Sequence, residues 1–360
     1  MFFESFEKAL VHATAVLKEN EKYSIIKFND AIQRKDYVIK VELNSLGKLE
    51  QEAKRLIELR NSSVFYQNCI PKIIDFGCFK SGFLKGCFFY VMEFLEGDTI
   101  SLLLERTKTR IDICPEFLSV FRTLADEIPS DDSLTSELKF HDLLAEMKTD
   151  YEIIKNQTLL SSLFNTTHLK INGKTYDNPL INFQHFAEKI SRFMLCHNLN
   201  NGHNLHNNYH GGNVIFRNAN SQFFAIDPDV SLKVCDTSFG LARFVYTPLH
   251  EQCENSTYTF NFNIDRIKKT DLANVDIGSV HSLNWYDEIL SVINVIKVLS
   301  DKNMRRRLWM SLMQCLLRGI KANYSTKLEF NERFLISHSS AYLFFCFITC
   351  WDLIGEIDKG

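Results

Sequence analysis

The chain has 360 residues, 45% of them hydrophobic, enough to bury one large core or two smaller ones and too apolar for a disordered polymer. Its 41 basic and 44 acidic residues leave a net charge of -3, which argues against a general nucleic-acid or anionic-membrane binder. The ten cysteines have no paired short spacings, and the start Met1-Phe2-Phe3-Glu4-Ser5-Phe6-Glu7 carries acids where an export signal needs bases, so a cytoplasmic protein with reduced thiols is expected.

Short β-rich runs open the chain: Tyr23 to Phe28 and Tyr37 to Val41, then a helix from about Leu46 to Arg60. Two more strands, Lys72 to Gly77 and Cys87 to Glu93, flank a turn at Ser81-Gly82. After Glu96-Gly97-Asp98 the apolar spacing becomes helical, in Phe117 to Leu124, Leu143 to Ile154 and Phe183 to Leu195. The division predicted is a β-rich lobe over 1–95 and a mainly helical lobe over 96–360. No recognisable pattern marks Ser101 to Asn182.

A polar stretch from Asn198 to Asn208 interrupts the helices. A hairpin follows, with strands Asn213 to Phe216 and Phe223 to Ile226 around a turn at Asn218 to Ser221. Helices are expected from there to the C-terminus. The apolar run Ala341 to Trp351 is shorter than the roughly 20 residues that span a bilayer and reads as a buried helix. Cys346 and Cys350 fall on one face of it, where free cysteine packs as a small hydrophobe.

The residues that carry chemistry are concentrated in His206-Asn207-Asn208-Tyr209-His210-Gly211-Gly212-Asn213 and, across the hairpin, Ala225-Ile226-Asp227-Pro228-Asp229. Phosphoryl transfer asks a protein for a group that orients the attacking hydroxyl and for oxygen ligands that hold Mg²⁺ on the nucleotide. Asn213 and Asp227 have the oxygens for the metal. His197, His203, His206 and His210 lie in a turn-rich loop rather than on a fixed helix, which argues against zinc.

This loop resembles that of the aminoglycoside phosphotransferases, His-Gly-Asp-x-His-x-x-Asn, followed by a hairpin and a metal aspartate. The resemblance places His206 and His210 on the two histidines and Asn208 on the catalytic aspartate, with Asn213 and Asp227 at the metal. Ala225-Ile226-Asp227-Pro228, with Asp236 nine residues on, is most similar to the streptomycin and hydroxyurea phosphotransferase branch. Val38-Ile39-Lys40 then looks like the strand whose lysine contacts phosphate, with Glu52 as its partner on the next helix and Glu50 as the competing choice. The run Tyr90 to Gly97, with Glu93, Phe94 and Leu95 at its centre, looks like the inter-lobe hinge whose backbone would meet adenine.

The family implies a two-lobed, protein-kinase-like α+β fold. It also implies ATP and Mg²⁺ as cofactors and transfer of the γ-phosphoryl group to a hydroxyl, on a small molecule such as an aminoglycoside or a sugar. A protein or glycan acceptor is the alternative. There are two departures from the family pattern. Residues 14–24 contain no glycine, so only a non-glycine turn near Lys18 to Lys22 is left to approach phosphate. Asn208, an amide, cannot take the hydroxyl proton as a carboxylate does. The pattern fits an inactivated Asp-to-Asn form or a nucleotide-binding pseudokinase, and the otherwise intact apparatus favours the first. In that case, an Asn208→Asp exchange would switch turnover on.

Overall fold

The computed structural model describes residues 4, 6–30, 34–44, 47–107, 114–127, 140–156, 161–171, 173–195, 206–229, 237–254, 258–265, 272–279, 301–325 and 330–359. Strands β1 (Ala13–Glu19), β2 (Tyr23–Asp30), β3 (Lys35–Glu42), β4 (Ile73–Cys78) and β5 (Phe88–Glu93) form one sheet in the order β1-β2-β3-β5-β4. Then come β6 (Asp98–Thr99), β7 (His168–Ile171), β8 (Lys174–Asp177), β9 (Val214–Arg217), β10 (Gln222–Ala225), β11 (Tyr258–Asp265) and β12 (Leu272–Ser279). The class is α+β, β-rich at the N-terminus and mainly helical after it, as expected of a kinase-like chain.

Two compact units divide the chain. One holds Met1–Ile100 and Asn204–Lys233, the other Ser101–His203 and Val234–Gly360. The loop His206 to Asn213 and its hairpin are therefore part of the same unit as the first sheet.

Strand alternation sets the layers of that first unit. On β3, Tyr37, Ile39 and Val41 join Ile26, Phe28, Phe79, Cys87, Phe89 and Val91 in a core on one face of the sheet. A period of two residues sends Val38, Lys40 and Glu42 to the other face. That face is covered by the helix Lys48–Ser62, whose buried residues Leu49, Glu52, Ala53, Leu56 and Leu59 recur at helical spacing. Each buried leucine contributes roughly 1.5–3 kcal/mol by leaving water, so this stripe ties helix to sheet. Glu42, buried at the end of β3, accepts the amides of Gly47 and Lys48, both at 3.2 Å, and so caps the helix from the strand.

The hairpin β9–β10 forms antiparallel, and β6 adds to β9 by pairing Asp98 with Phe216 and Thr99 with Ile215. Gly97 permits that approach, because a Cβ there would sit 2.3 Å from the Phe216 carbonyl oxygen.

In the second unit, helices Pro115–Glu127 and Thr237–Glu254 meet through Phe117 stacked on Phe244 at 4.6 Å. Helices Phe140–Ile154 and Lys302–Ser325 are joined where buried Asp150 takes Lys321 at 2.6 Å and Glu146 accepts from Gln314 and Arg318. Arg305, Arg306 and Arg307 are half-buried on the latter helix. Helix Phe330–Lys359 buries Ala341 through Ile348 and Cys350, as the apolar run predicts, and Phe186 packs on Trp351. No helix among the described residues is long and apolar enough to cross a membrane.

The expectation of helices from the hairpin to the C-terminus needs correction. β11 and β12 pair antiparallel, β12 runs parallel to β7, and β7 pairs β8, giving a four-stranded sheet in the order β11-β12-β7-β8. Its strands come from segments a hundred residues apart, and such non-local pairing leaves little local signal. The first strand was also missed: β1 is nearly all exposed and lacks alternation.

Candidate active site

Lys40 is the centre of the site. Its ammonium lies 2.9 and 3.0 Å from the two Glu52 oxygens and 2.6 Å from Asp227 Oδ1. Strand and helix periodicity brings the first pair together, because Lys40 lies on the helix-covered face of β3 and Glu52 on the sheet-facing stripe. Glu50 turns away to pair with Lys54 on its own helix, at 2.7 Å. Tyr90 is a participant that the sequence did not reveal. It is directly opposite Lys40 in the β3–β5 pairing, fully buried, and its hydroxyl donates to Glu52 Oε1 at 2.6 Å. Only the register of two strands identifies it.

One lysine serves two carboxylates here, and the charges respond accordingly. Burial and the Asp227 charge push the Glu52 carboxyl up to about 8 despite Lys40. Burial also works against Asp227, but Lys40 outweighs it and holds that carboxyl below its usual range. Burial opposes the Lys40 charge too, yet Glu52 and Asp227 together keep the ammonium above its ordinary value. The lysine thus favours Asp227, and the two carboxyl groups compete for one ammonium.

The donor set beside that ammonium is the fit test for a metal. Asp227 keeps 38% of its side chain exposed, and a carboxylate with an amide oxygen makes a hard donor set of the kind Mg²⁺ takes beside phosphate oxygens. The amide oxygen would come from Asn213, whose Nδ2 donates to the Asn208 carbonyl at 3.3 Å. Asn213 is tied to the segment after β10 by Ile226 N–H donating to its carbonyl at 2.9 Å. Among the described residues no cluster of three or more His, Cys, Asp or Glu could hold a metal; His197 and His203 lie outside the described residues, as does Asp236.

In the loop, Asn208 Nδ2 donates to the Asp227 carbonyl at 2.7 Å, and Asp229 N–H donates to the His206 carbonyl at 3.1 Å. Asn207 and Asp227 both take left-handed backbones, φ 60 and 53 degrees, a conformation Asn and Asp tolerate better than other side-chain residues. His206 is fully buried and stacks on Tyr209 with ring centroids 4.9 Å apart. Burial drives its imidazole down to about 4, so it is neutral at pH 7. His210 caps the turn at Gly211–Asn213 by accepting the Gly212 amide at 3.2 Å.

The β1–β2 turn has its own solution to the lack of glycine. Asn20 Oδ1 accepts from the amides of Lys22 and Tyr23, at 2.9 and 2.8 Å. The turn's donors are thereby engaged by its own side chain rather than left for an anion. Beyond it, the Tyr23 ring lies 5.1 Å from the Lys40 ammonium.

At the end of β5, Glu93 Oε1 accepts from Lys72 N–H at 3.1 Å. Phe94 N–H donates to the Asp36 carbonyl at 3.0 Å while its ring carries the Lys27 ammonium at 3.7 Å. Leu95 is buried. The Phe94 amide is therefore spent on the sheet.

No family model matches the chain, and no curated protein matches it either. Among solved structures it is similar to an ethanolamine kinase of Plasmodium vivax, at 12% identity over 92% of this chain and 81% of that one, with a TM-score of 0.44. It is also similar to a candidate aminoglycoside phosphotransferase of Ralstonia eutropha, at 11% identity over 96% of this chain and 97% of that one, with a TM-score of 0.49.

Proposed function

We propose that the chain binds Mg-ATP and belongs to the phosphotransferases that move the γ-phosphoryl group to a hydroxyl of a small molecule, aminoglycoside-like or a sugar. The observation that carries this reading is the convergence of Lys40, Glu52 and Asp227 within 3.0 Å of one ammonium, from a strand, a helix and a loop distant in sequence. Lys40 would meet the nucleotide phosphates, with Glu52 bracing it and Tyr90 fixing Glu52. Asn213 and Asp227 would hold the metal, and the backbone of Glu93, Phe94 and Leu95 would follow the adenine. Bound Mg²⁺ supplies charge neutralisation on the phosphates; the residues of this chain orient and hold.

A second reading, a nucleotide-binding regulator, is favoured by Asn208, which stands where a carboxylate would accept the hydroxyl proton. Calorimetric titration with ATP, with and without Mg²⁺, tests what the two share. The native chain is expected to bind, and Lys40→Met and Asp227→Asn each to lose at least about ten-fold, the size of one charge-assisted contact. A native chain that binds no nucleotide even at millimolar Mg-ATP would overturn both readings. ATP turnover over a panel of aminoglycosides and sugars separates them.

A further inference from the structure

We infer that Asn208 is a positioning residue, whose amide N–H holds the backbone of the metal-site Asp227, and not a base that has lost its proton acceptor. The inference rests on the Mg-ATP reading above for its functional meaning, and on hydrogen bonds alone for its structural content.

Three bonds cross from the loop His206 to Asn213 to the segment Ile226 to Asp229. Two are between backbones: Asp229 N–H to the His206 carbonyl at 3.1 Å, and Ile226 N–H to the Asn213 carbonyl at 2.9 Å. The third and shortest lies between them in sequence, Asn208 Nδ2 to the Asp227 carbonyl at 2.7 Å. It is the only one of the three that depends on a side chain. Asn213 Nδ2 in turn donates to the carbonyl of Asn208, so the two asparagines brace each other and the strand.

The bond falls at a strained point of the backbone. Asp227 has φ 53 degrees, a region that costs a residue with a Cβ about 1–3 kcal/mol unless its surroundings hold it. Pinning the Asp227 carbonyl fixes the peptide plane that follows that angle. The angle in turn aims the carboxylate at Lys40, 2.6 Å away. The donor is therefore part of what directs the metal-site carboxylate.

Aspartate cannot take this place. An ionised carboxylate is acceptor only, so it would face the Asp227 carbonyl, oxygen to oxygen with no proton between. It would also add a second negative charge beside Asp227. Alanine would lose the donor without adding the repulsion. The order of tolerance follows: Asn best, Ala next, Asp worst. A disabled base predicts the reverse, since Asp would restore the missing acceptor and leave metal binding untouched.

Three measurements on the full chain decide between them. Titration of Mg-ATP should show Asn208→Asp weakened about ten-fold or more, the loss expected when a buried hydrogen bond is replaced by an unmatched charge, with Asn208→Ala in between. ATP turnover should not rise in Asn208→Asp. Hydrogen exchange without nucleotide should show the Ile226 and Asp229 amides opening about ten-fold faster in Asn208→Asp, by the same loss, and less so in Asn208→Ala. Equal Mg-ATP affinity with unchanged exchange in Asn208→Asp, or turnover that emerges only in that variant, overturns the inference. If the native chain takes up no Mg-ATP, the phosphotransferase reading falls by itself and the exchange rates still decide the role of Asn208. If Asn208→Asp does not fold, the exchange of Asn208→Ala decides: native rates at Ile226 and Asp229 overturn the inference and faster ones support it.

Discussion

Lys40 and Tyr90 face each other across β3 and β5, and both end on the same Glu52 carboxylate, the lysine at 2.9 and 3.0 Å and the phenol at 2.6 Å. The sheet thereby supplies a cation and a neutral donor to one acid on the covering helix. The phenol fixes the rotation of that acid, and the lysine can then contact both of its oxygens.

Tyr90→Phe removes only the hydroxyl. The ring packing survives, while a buried carboxylate loses a donor, which costs about 1–3 kcal/mol. Urea unfolding of the variant should show a lowered midpoint with an unchanged slope. A midpoint equal to that of the native chain would mean that Tyr90 does not hold Glu52.

Glu52 also gives stability a pH dependence on the alkaline side. Its folded carboxyl is pushed up to about 8 by burial and the Asp227 charge, whereas unfolded it titrates in the ordinary carboxylate range. The folded state therefore binds the proton more tightly, and its contribution to stability is lost as pH rises towards 8. Urea midpoints should fall over that window in the native chain and stay flatter in Glu52→Gln. Lys40→Met should carry the fall on to higher pH, because it removes the charge that lowers the carboxyl. A native profile that is flat between pH 6.5 and 8, above the range in which His206 titrates, would contradict this.

Much of this cluster was legible before any coordinates. The resemblance of Val38-Ile39-Lys40 to a phosphate-contacting strand singled out Lys40, and the apolar spacing of Leu56 and Leu59 favoured Glu52 over Glu50. The hairpin β9–β10 announced itself by its apolar strands and polar turn. What was not legible depends on distant pairing. Tyr90 becomes a site residue only when the register of β3 against β5 is known, and Glu42 reads as a strand acid until the helix start is seen to lie on it. β12 joins β7 in parallel across a hundred residues, so neither segment alone signals its partner. Phe260, Phe262 and Ile264 alternate with Asn261 and Asn263 in β11, a period of two that was present and overlooked.

On the acid side His206 governs. Burial lowers its folded imidazole to about 4, while the unfolded side chain titrates near the ordinary imidazole value of 6.5. Between these values the unfolded chain binds the proton that the folded chain refuses, so His206 lowers stability as pH drops from 6.5 towards 4, against the opposite slope from Glu52. The full loss amounts to about 3 kcal/mol. His206→Phe keeps an aromatic ring against Tyr209 and cannot take the proton. Its urea midpoint should decline less than the native one over this window, and parallel declines would show that other groups carry the acid sensitivity.

Gly97 provides a backbone test of the hairpin's attachment. A Cβ at this position would lie 2.3 Å from the Phe216 carbonyl oxygen and 2.9 Å from its carbon, so β6 and β9 would have to part at the point where Asp98 pairs with Phe216. Backbone atoms cannot rotate out of the way as a side chain can, and the cost falls in the range of overpacking, about 1–3 kcal/mol. Gly97→Ala should lower the unfolding midpoint accordingly and speed amide exchange in Ile215 and Phe216, the β9 partners of β6. The hairpin partner β10 is on the far side of β9, so Phe223 and Phe224 should exchange at native rates. Uniform acceleration across both strands would mean that β6 holds the whole hairpin in place rather than only its edge.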